Sequence, residues 1–488
     1  MAWITALQTD GQPVEFEDQA LASGGEKVVF RTRDRQHVVA FYYGALRDRM
    51  ERVDRLTRIL TKYNPTVGPR GAYWQPYFCW PTGVVDGDRR VPMEFARRHG
   101  LVTPVLGVVA PAYREPFYFR DRFGNRQEKE VRWFTGRKAG ALVPEAERGN
   151  LLTRLQVCTR VARAVRRLHF AGLAHSDLSN KNVLVDPKGG DACVIDIDSL
   201  VVPGVAPPVV LGTPGYIAPE VVAGRATPSI DTDKHALAVL VYEILLQRHP
   251  LQGKKVHSTR SAEEDEQLSM GARALWVEHP TDHSNPPPIP VKVAAARLGP
   301  FLEPLFRKAF VDGLHAPARR PDAAEWESAL YRTLGTLHPA PSGRDWFPTG
   351  PGLSTSSPFT GERLTGAVPV ARYLRPVPGG LADERAWLTV FHHLVLHDWH
   401  RLAGVSPDEH ADRTPRGYFA QQDGRWYLVN LADEPLEVLA GSSTDATDGA
   451  TPGQLVPRQA SVEIVPGLRV RLSPSPDARV LHFDFLRA

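Results

Sequence analysis

The chain has 488 residues, 42% hydrophobic and 23% charged, with a formal net charge of +4. That length exceeds one ordinary core, so about two to four domains are expected, and the balance of residue types excludes a disordered chain. No dense Lys/Arg run occurs, which argues against nucleic acid or an anionic membrane as a partner.

Cys79, Cys158 and Cys193 are isolated from one another in apolar surroundings. They build neither a disulfide framework nor a Cys-based zinc site, which fits a reducing cytoplasm. Met1–Leu7 has no basic run leading into an apolar segment, so no signal peptide is expected. The longest apolar run, Ala236–Leu246, is far too short to span a bilayer.

Residues 1–112 read as strand-rich. Val28–Phe30 and His37–Tyr43 are β-branched and aromatic. Ala45–Lys62 carries Leu46, Met50, Val53, Leu56, Ile59 and Leu60 as a helical stripe, ended by Asn64-Pro65. Val102–Ala110 is a further apolar strand. Residues 113–340 read as mostly helical. Leu151, Leu152, Leu155, Cys158, Val161, Val165 and Leu168 share one helix face, and Ala236–Leu246 is apolar all round, as a buried helix would be. Residues 341–367 turn to Pro, Gly and Ser and read as linker. In 368–488, segments at 426–430, 436–439, 461–464, 468–472 and 480–485 alternate with turn residues, the pattern of a small β-sandwich.

The chemistry lies in His175-Ser-Asp-Leu-Ser-Asn-Lys-Asn182 and in Ile195-Asp-Ile-Asp-Ser199, read as a strand. Asp177 could accept the proton of an attacking hydroxyl, while Asn182 and Asp196 could hold Mg²⁺ against ATP phosphates. Around them, in order, stand the Gly-containing turn Ala22–Lys27, the helix, a Pro-marked hinge, Gly212–Glu220, Asp233 and Arg320. Each piece alone is common. Their order resembles that of protein kinases. The resemblance implies an α+β fold with a β-rich N-lobe (1–112) and a helical C-lobe (113–340); the strand pattern of 368–488 adds a small all-β domain. It also implies a Glu220–Arg320 pair and an Asp233 bond to the catalytic-loop backbone.

Leu173–Asp186, Asp198–Gly204, Thr232–Leu240, Arg248–Leu251 and Glu278–Asn285 resemble kinases encoded beside TerY-type von Willebrand A proteins and PPM-type phosphatases, in bacterial tellurite-resistance and stress clusters. That resemblance implies a protein substrate and those two partners.

Several positions depart from a standard kinase. Aligning Val38–Phe41 on the usual Val-Ala-Ile-Lys puts Phe41 where the phosphate-binding lysine stands. Lys27, at the place of the third glycine of the Gly-rich loop, resembles the displaced lysine of with-no-lysine kinases. It is either the replacement clamp or a solvated lysine of a pseudokinase. Glu51 is the only Glu of the expected helix and hence Lys27's candidate partner, with Asp48 and Asp54 as shorter alternatives and an ordinary exposed helix charge as the plain reading. Ser176 replaces the Arg that docks a phosphorylated activation loop, so Ser199–Gly215 is expected to be fixed rather than switched. Ser179 replaces a γ-phosphate-contacting Lys. Asp198 replaces the Gly after the metal-binding Asp, as a further metal ligand or a turn cap.

ATP would lie near the hinge Ala110–Tyr113, its phosphates over Gly24, Gly25 and Lys27. Its adenine would lie among Leu21, Val29, Ala110, Ala112 and Leu184, with Mg²⁺ or Mn²⁺ on Asn182, Asp196 and Asp198. No zinc is expected. Ser356–Leu364 resembles a zinc-ribbon knuckle with both cysteines replaced, and the His392, His393, His397, His400 group matches no metal spacing. The reading is a cytoplasmic Ser/Thr protein kinase, with a nucleotide-binding pseudokinase scaffold as the alternative.

Overall fold

A computed structural model describes residues 2–43, 48–87, 90–135, 141–208, 212–440 and 453–487. The chain divides into two compact units. The first comprises Met1–Gly149, Val157–Pro288 and Phe306–Glu327; the second comprises Asn150–Gln156, Ile289–Leu305 and Ser328–Ala488.

The first unit begins with a six-stranded antiparallel sheet. Its strands are β1 (Trp3–Leu7), β2 (Pro13–Ser23), β3 (Lys27–Thr32), β4 (His37–Tyr42), β5 (Gly83–Asp86) and β6 (Leu106–Pro111), in the order β1-β2-β3-β4-β6-β5. The two-residue period of a strand sends Val28 and Phe30 of β3, and Val39 and Phe41 of β4, to one face. There Phe16, Phe30, Phe41 and Phe95 pack with ring centroids 5.0–6.3 Å apart. The other face sets Tyr42, Val84, Leu106 and Val108 against Leu56.

Leu56 belongs to the helix Arg49–Thr61, which is shorter than the expected Ala45–Lys62; residues 44–47 lie outside the described residues. Leu56 and Ile59 are buried as the stripe requires, but Met50 points to solvent. β6 begins at Leu106 rather than Val102, after Pro104, which has no N–H to give to a ladder.

Beyond the sheet, Leu151–Phe170 is a helix as expected, and the expected buried helix Ala236–Leu246 starts earlier than Asp233, running over Ile230–Leu246. Ser229 and Thr232 cap the second reciprocally, and it is buried on all sides. Two hairpins were not foreseen in this stretch: Tyr118–Arg120 with Arg126–Glu128, and Val183–Asp186 with Asp191–Val194.

In the second unit, a six-stranded and a four-stranded antiparallel sheet enclose one apolar core. Strands at 425–430, 436–440, 461–463, 469–471 and 480–487 fall on the alternating segments. The long hairpin Ala367–Val377 with Gly380–Thr389 was not anticipated. Residues 341–367 are more than a tether. Trp346–Pro348 pairs with Leu337–Pro339, and Phe347, Leu364 and Val368 share a small core. The knuckle at Ser357 keeps its turn without cysteine, because the Ser357 hydroxyl accepts the N–H groups of Phe359 and Thr360, both at 3.2 Å. Among the described residues no helix is long and apolar enough to cross a membrane, and no three His, Cys, Asp or Glu side chains converge as a metal site.

Candidate active site

The loop 175–182 is held from below. Asp233, in the first turn of the buried helix, accepts the His175 backbone N–H at 2.6 Å, and the buried His175 ring donates through Nε2 to the Ile195 carbonyl at 2.8 Å. The expected Asp233 contact is therefore formed. So is the Glu220–Arg320 pair, bidentate at 2.7 Å on both arms, with Arg320 almost fully buried.

On that support Asp177 is fixed by two donors. Thr213 Oγ1 donates to Oδ1 at 2.7 Å, and Asn182 Nδ2 donates to Oδ2 at 2.9 Å. Asn182 also donates to the Asp177 carbonyl at 2.8 Å. The loop's aim is set by Ser176, which has φ +66°. A non-glycine residue held there costs free energy that the surrounding contacts must offset, a condition common at functional sites.

The second cluster gathers distant residues. Lys27 Nζ lies 2.7 Å from Asp196 Oδ1 and 2.9 and 2.8 Å from the two oxygens of Asp198. The Tyr42 hydroxyl donates to Asp198 Oδ2 as well. Asp196 is not on a strand as expected. It follows the strand Asp191–Val194 and takes φ +60° before a short turn at Ile197–Ser199. Ser199 Oγ bonds its carbonyl at 3.2 Å, and Ser176 Oγ donates to the Ser199 carbonyl at 3.0 Å, which ties the two clusters together.

Electrostatics follow from this packing. Burial alone would raise the Asp198 carboxyl, but the Lys27 ammonium and the bonds from Lys27 and Tyr42 hold it below the usual carboxylate range. Burial would lower Lys27; the charges of Asp198 and Asp196 outweigh it and hold the amine well above its ordinary value. Burial and Asp198 both push the Tyr42 phenol up, so it stays protonated and donates.

The expected partner Glu51 does not meet Lys27. It is exposed on its helix, whereas Asp196 and Asp198 supply Lys27's ion pairs. The alignment through Phe41 is also corrected. Phe41 faces the aromatic core; Ala40 and Tyr42 share the opposite face by strand parity, so Tyr42 stands where the lysine of a Val-Ala-x-Lys strand would. Tyr42 was missed, although the two-residue period was there to be counted. Arg52 was missed too. Its guanidinium lies 4.5 Å from the Tyr42 ring centroid.

Of the other predicted residues, Gly24 and Gly25 form the open turn before Lys27, with the Gly24 N–H on the Lys27 carbonyl at 2.9 Å. Leu21 is exposed and Val29 half-buried. Ala110 near the end of β6 and Ala112 just beyond it are half-buried, the Ala112 N–H donating to the Gln36 carbonyl at 2.8 Å. Leu184 is fully buried with Phe117, Cys193 and Ile195, beside Cys79 and Tyr113. The segment after Ser199 is anchored. Val201 bridges to Ala174, and Arg55 and Arg58 donate to the carbonyls of Ala206 (2.8 Å) and Pro203 (3.2 Å). Tyr216 is buried, its hydroxyl spent on Glu243.

Residues 147–301 match the protein kinase domain family, a span holding Asp177, Asn182, Asp196, Asp198, Glu220 and Asp233 but not Lys27 or Tyr42. Among curated proteins, the chain is similar to the dual serine/threonine and tyrosine protein kinases of Gallus gallus and Homo sapiens, at 34% identity over 111 residues. The same protein of Pimephales promelas is 33% identical over 109 residues. The Gallus gallus match covers 23% of this chain and 11% of that protein. A match to a protein kinase domain supports phosphoryl transfer in general.

Proposed function

We propose that the chain transfers the γ-phosphoryl group of ATP to Ser/Thr hydroxyls of a protein partner, with Lys27 as the phosphate clamp. The observation that carries this reading is the 2.7 Å contact between Lys27 and Asp196, 169 residues apart in sequence. An ammonium held beside the metal-binding carboxylate is where a phosphate clamp is needed.

Asp177 would take the proton of the attacking hydroxyl, its carboxylate aimed by Thr213 and Asn182. Asn182 and Asp196 offer hard oxygen donors that fit Mg²⁺ or Mn²⁺, which when bound would neutralise phosphate charge. Asp198 faces Lys27 with both oxygens and Tyr42 with one, so its role is to position Lys27 rather than to bind metal. It takes the part the sequence offered to Glu51. The phosphates would run over Gly24 and Gly25, and the base between Val29, the 110–112 hinge and Leu184. The von Willebrand A and PPM-type phosphatase partners, and a bacterial cytoplasmic setting, rest on the resemblance of the segments at 173–186, 198–204 and 278–285.

The test is purified protein with γ-labelled ATP and Mg²⁺, beside Lys27→Ala and Asp177→Asn. Wild type should label a protein acceptor well above both variants. Equal labelling of wild type and Asp177→Asn would defeat the enzyme reading.

A second reading, a pseudokinase scaffold for the same partners, is favoured by Ser179. It is fully buried where a cation would reach the γ-phosphate, and Lys181 nearby is exposed. A scaffold would show nucleotide binding or partner assembly without transfer.

A further inference from the structure

The second unit contains a cavity of about 330 Å³ between the helical residues 328–335 and the hairpin Ala367–Val377/Gly380–Thr389. Its aromatic walls are Tyr331, Tyr373, Trp387 and Trp399. It is built by a break in the sheet. Arg372 pairs with Trp387 and Leu374 with Asp383, so Glu384, Arg385 and Ala386 are looped out opposite Tyr373. Arg385 sits there at φ +54°, a conformation a side chain adopts at a cost. Such bulges re-aim side chains beside binding sites.

The polar groups of the cavity are unequally satisfied. Arg479, almost fully buried, is spent: it forks onto Glu384 with two 2.9 Å bonds and covers the Tyr373 ring at 4.3 Å. Glu384 also accepts the Gly404 N–H. Four other groups lack an ion pair or a hydrogen bond of this kind. The Tyr373 hydroxyl, on a residue 7% exposed, has no hydrogen-bond partner among the described residues. The Arg332 guanidinium stacks on Phe301 at 4.2 Å and donates to the Arg385 carbonyl; among the described residues, Glu384 attracts it but forms no ion pair with it. Arg375 and Arg385 on the rim likewise have no ion pair there. Against these three cations the only acidic group not paired to an arginine is Asp383.

A buried phenol hydroxyl without a partner, beside a half-buried guanidinium that has no ion pair, is costly unless something completes it. We propose that this cavity binds a small organic anion with a planar aromatic body, its charge on Arg332 and Tyr373 and its ring between the aromatic walls. The volume suits a ligand of that size. The site is separate from the phosphoryl-transfer residues, and nothing in the inference depends on kinase activity.

The experiment is a titration of the full chain with 8-anilinonaphthalene-1-sulfonate, a fluorescent aromatic anion, followed by displacement with phenyl phosphate or with uncharged phenol. One saturable site is expected, displaced by phenyl phosphate and not by equal phenol. Arg332→Gln should weaken it at least about tenfold, as loss of a charge-assisted bond implies, and Tyr373→Phe about threefold. Arg375→Gln, an exposed change that leaves the fold intact, should weaken it measurably. Equal binding by Arg332→Gln and Arg375→Gln, equal displacement by phenol, or loss of binding in Lys27→Ala instead would overturn the assignment.

Discussion

The two clusters of the candidate site are built on opposite principles. Asp177, Asn182 and Thr213 form a half-open array in which two neutral donors aim one carboxylate; Asp177 and Asn182 are five residues apart in a single loop. Lys27, Tyr42, Asp196 and Asp198 form a largely buried charge cluster drawn from three separated stretches, with bonds spanning 156–171 residues. The first can lose a member and remain folded, because its groups still reach water. The second cannot do so cheaply, because removing one charge leaves its partner buried and unpaired. Function should therefore fail without unfolding in the first cluster, and together with stability in the second.

The largest effect expected is on chemistry alone. Asp177→Asn should lower phosphoryl transfer by about 10²–10⁴-fold, the usual worth of a positioned base, with an unchanged melting curve. Next, Lys27→Ala should destabilise the first unit by about 3 kcal/mol, since Asp198 would be left as a buried carboxylate. Lys27→Ala with Asp198→Asn should recover part of that loss in chemical denaturation, and equal stability of the single and double variants would show that the charges are uncoupled.

A smaller, pH-dependent effect comes from Glu243, outside both clusters. Burial pushes its carboxyl up to about 7, the Tyr216 hydroxyl opposing only in part. The folded chain then binds more protons than the unfolded chain between about 4.5 and 7, so stability is greatest below that window and falls as pH rises through it. Glu243→Gln should remove up to about 3 kcal/mol of this pH dependence, read as the difference in unfolding free energy at the two ends of the window. The smallest effect belongs to Glu51→Gln, which should change stability by less than about 0.5 kcal/mol, as exposed substitutions do. A marked loss of ATP affinity in that variant would restore Glu51 as the partner of Lys27.

The same contrast decides how much could be read from the chain. The Asp177 loop, the buried helix beginning at Ile230 and the Glu220–Arg320 pair were legible because each rests on local spacing or on one long-range pair set by motif order. Lys27 could be singled out in the sequence, but the carboxylates it meets could not. A helix glutamate fitted the pattern, whereas the left-handed turn at Asp196 delivers Asp198 to Lys27, and turn geometry leaves no periodic trace. Tyr42 was hidden by a register one residue out, which in a strand exchanges the two faces. The hairpin at 367–389 was hidden by charged and small residues on a half-exposed strand.

The most direct test is calorimetric titration of ATP·Mg²⁺ into wild type, Lys27→Ala and Glu51→Gln. A displaced clamp positioned by Asp198 requires affinity to fall at least about tenfold in Lys27→Ala, the worth of a charge-assisted bond, and to stay unchanged in Glu51→Gln. Unchanged affinity in a folded Lys27→Ala chain would contradict it.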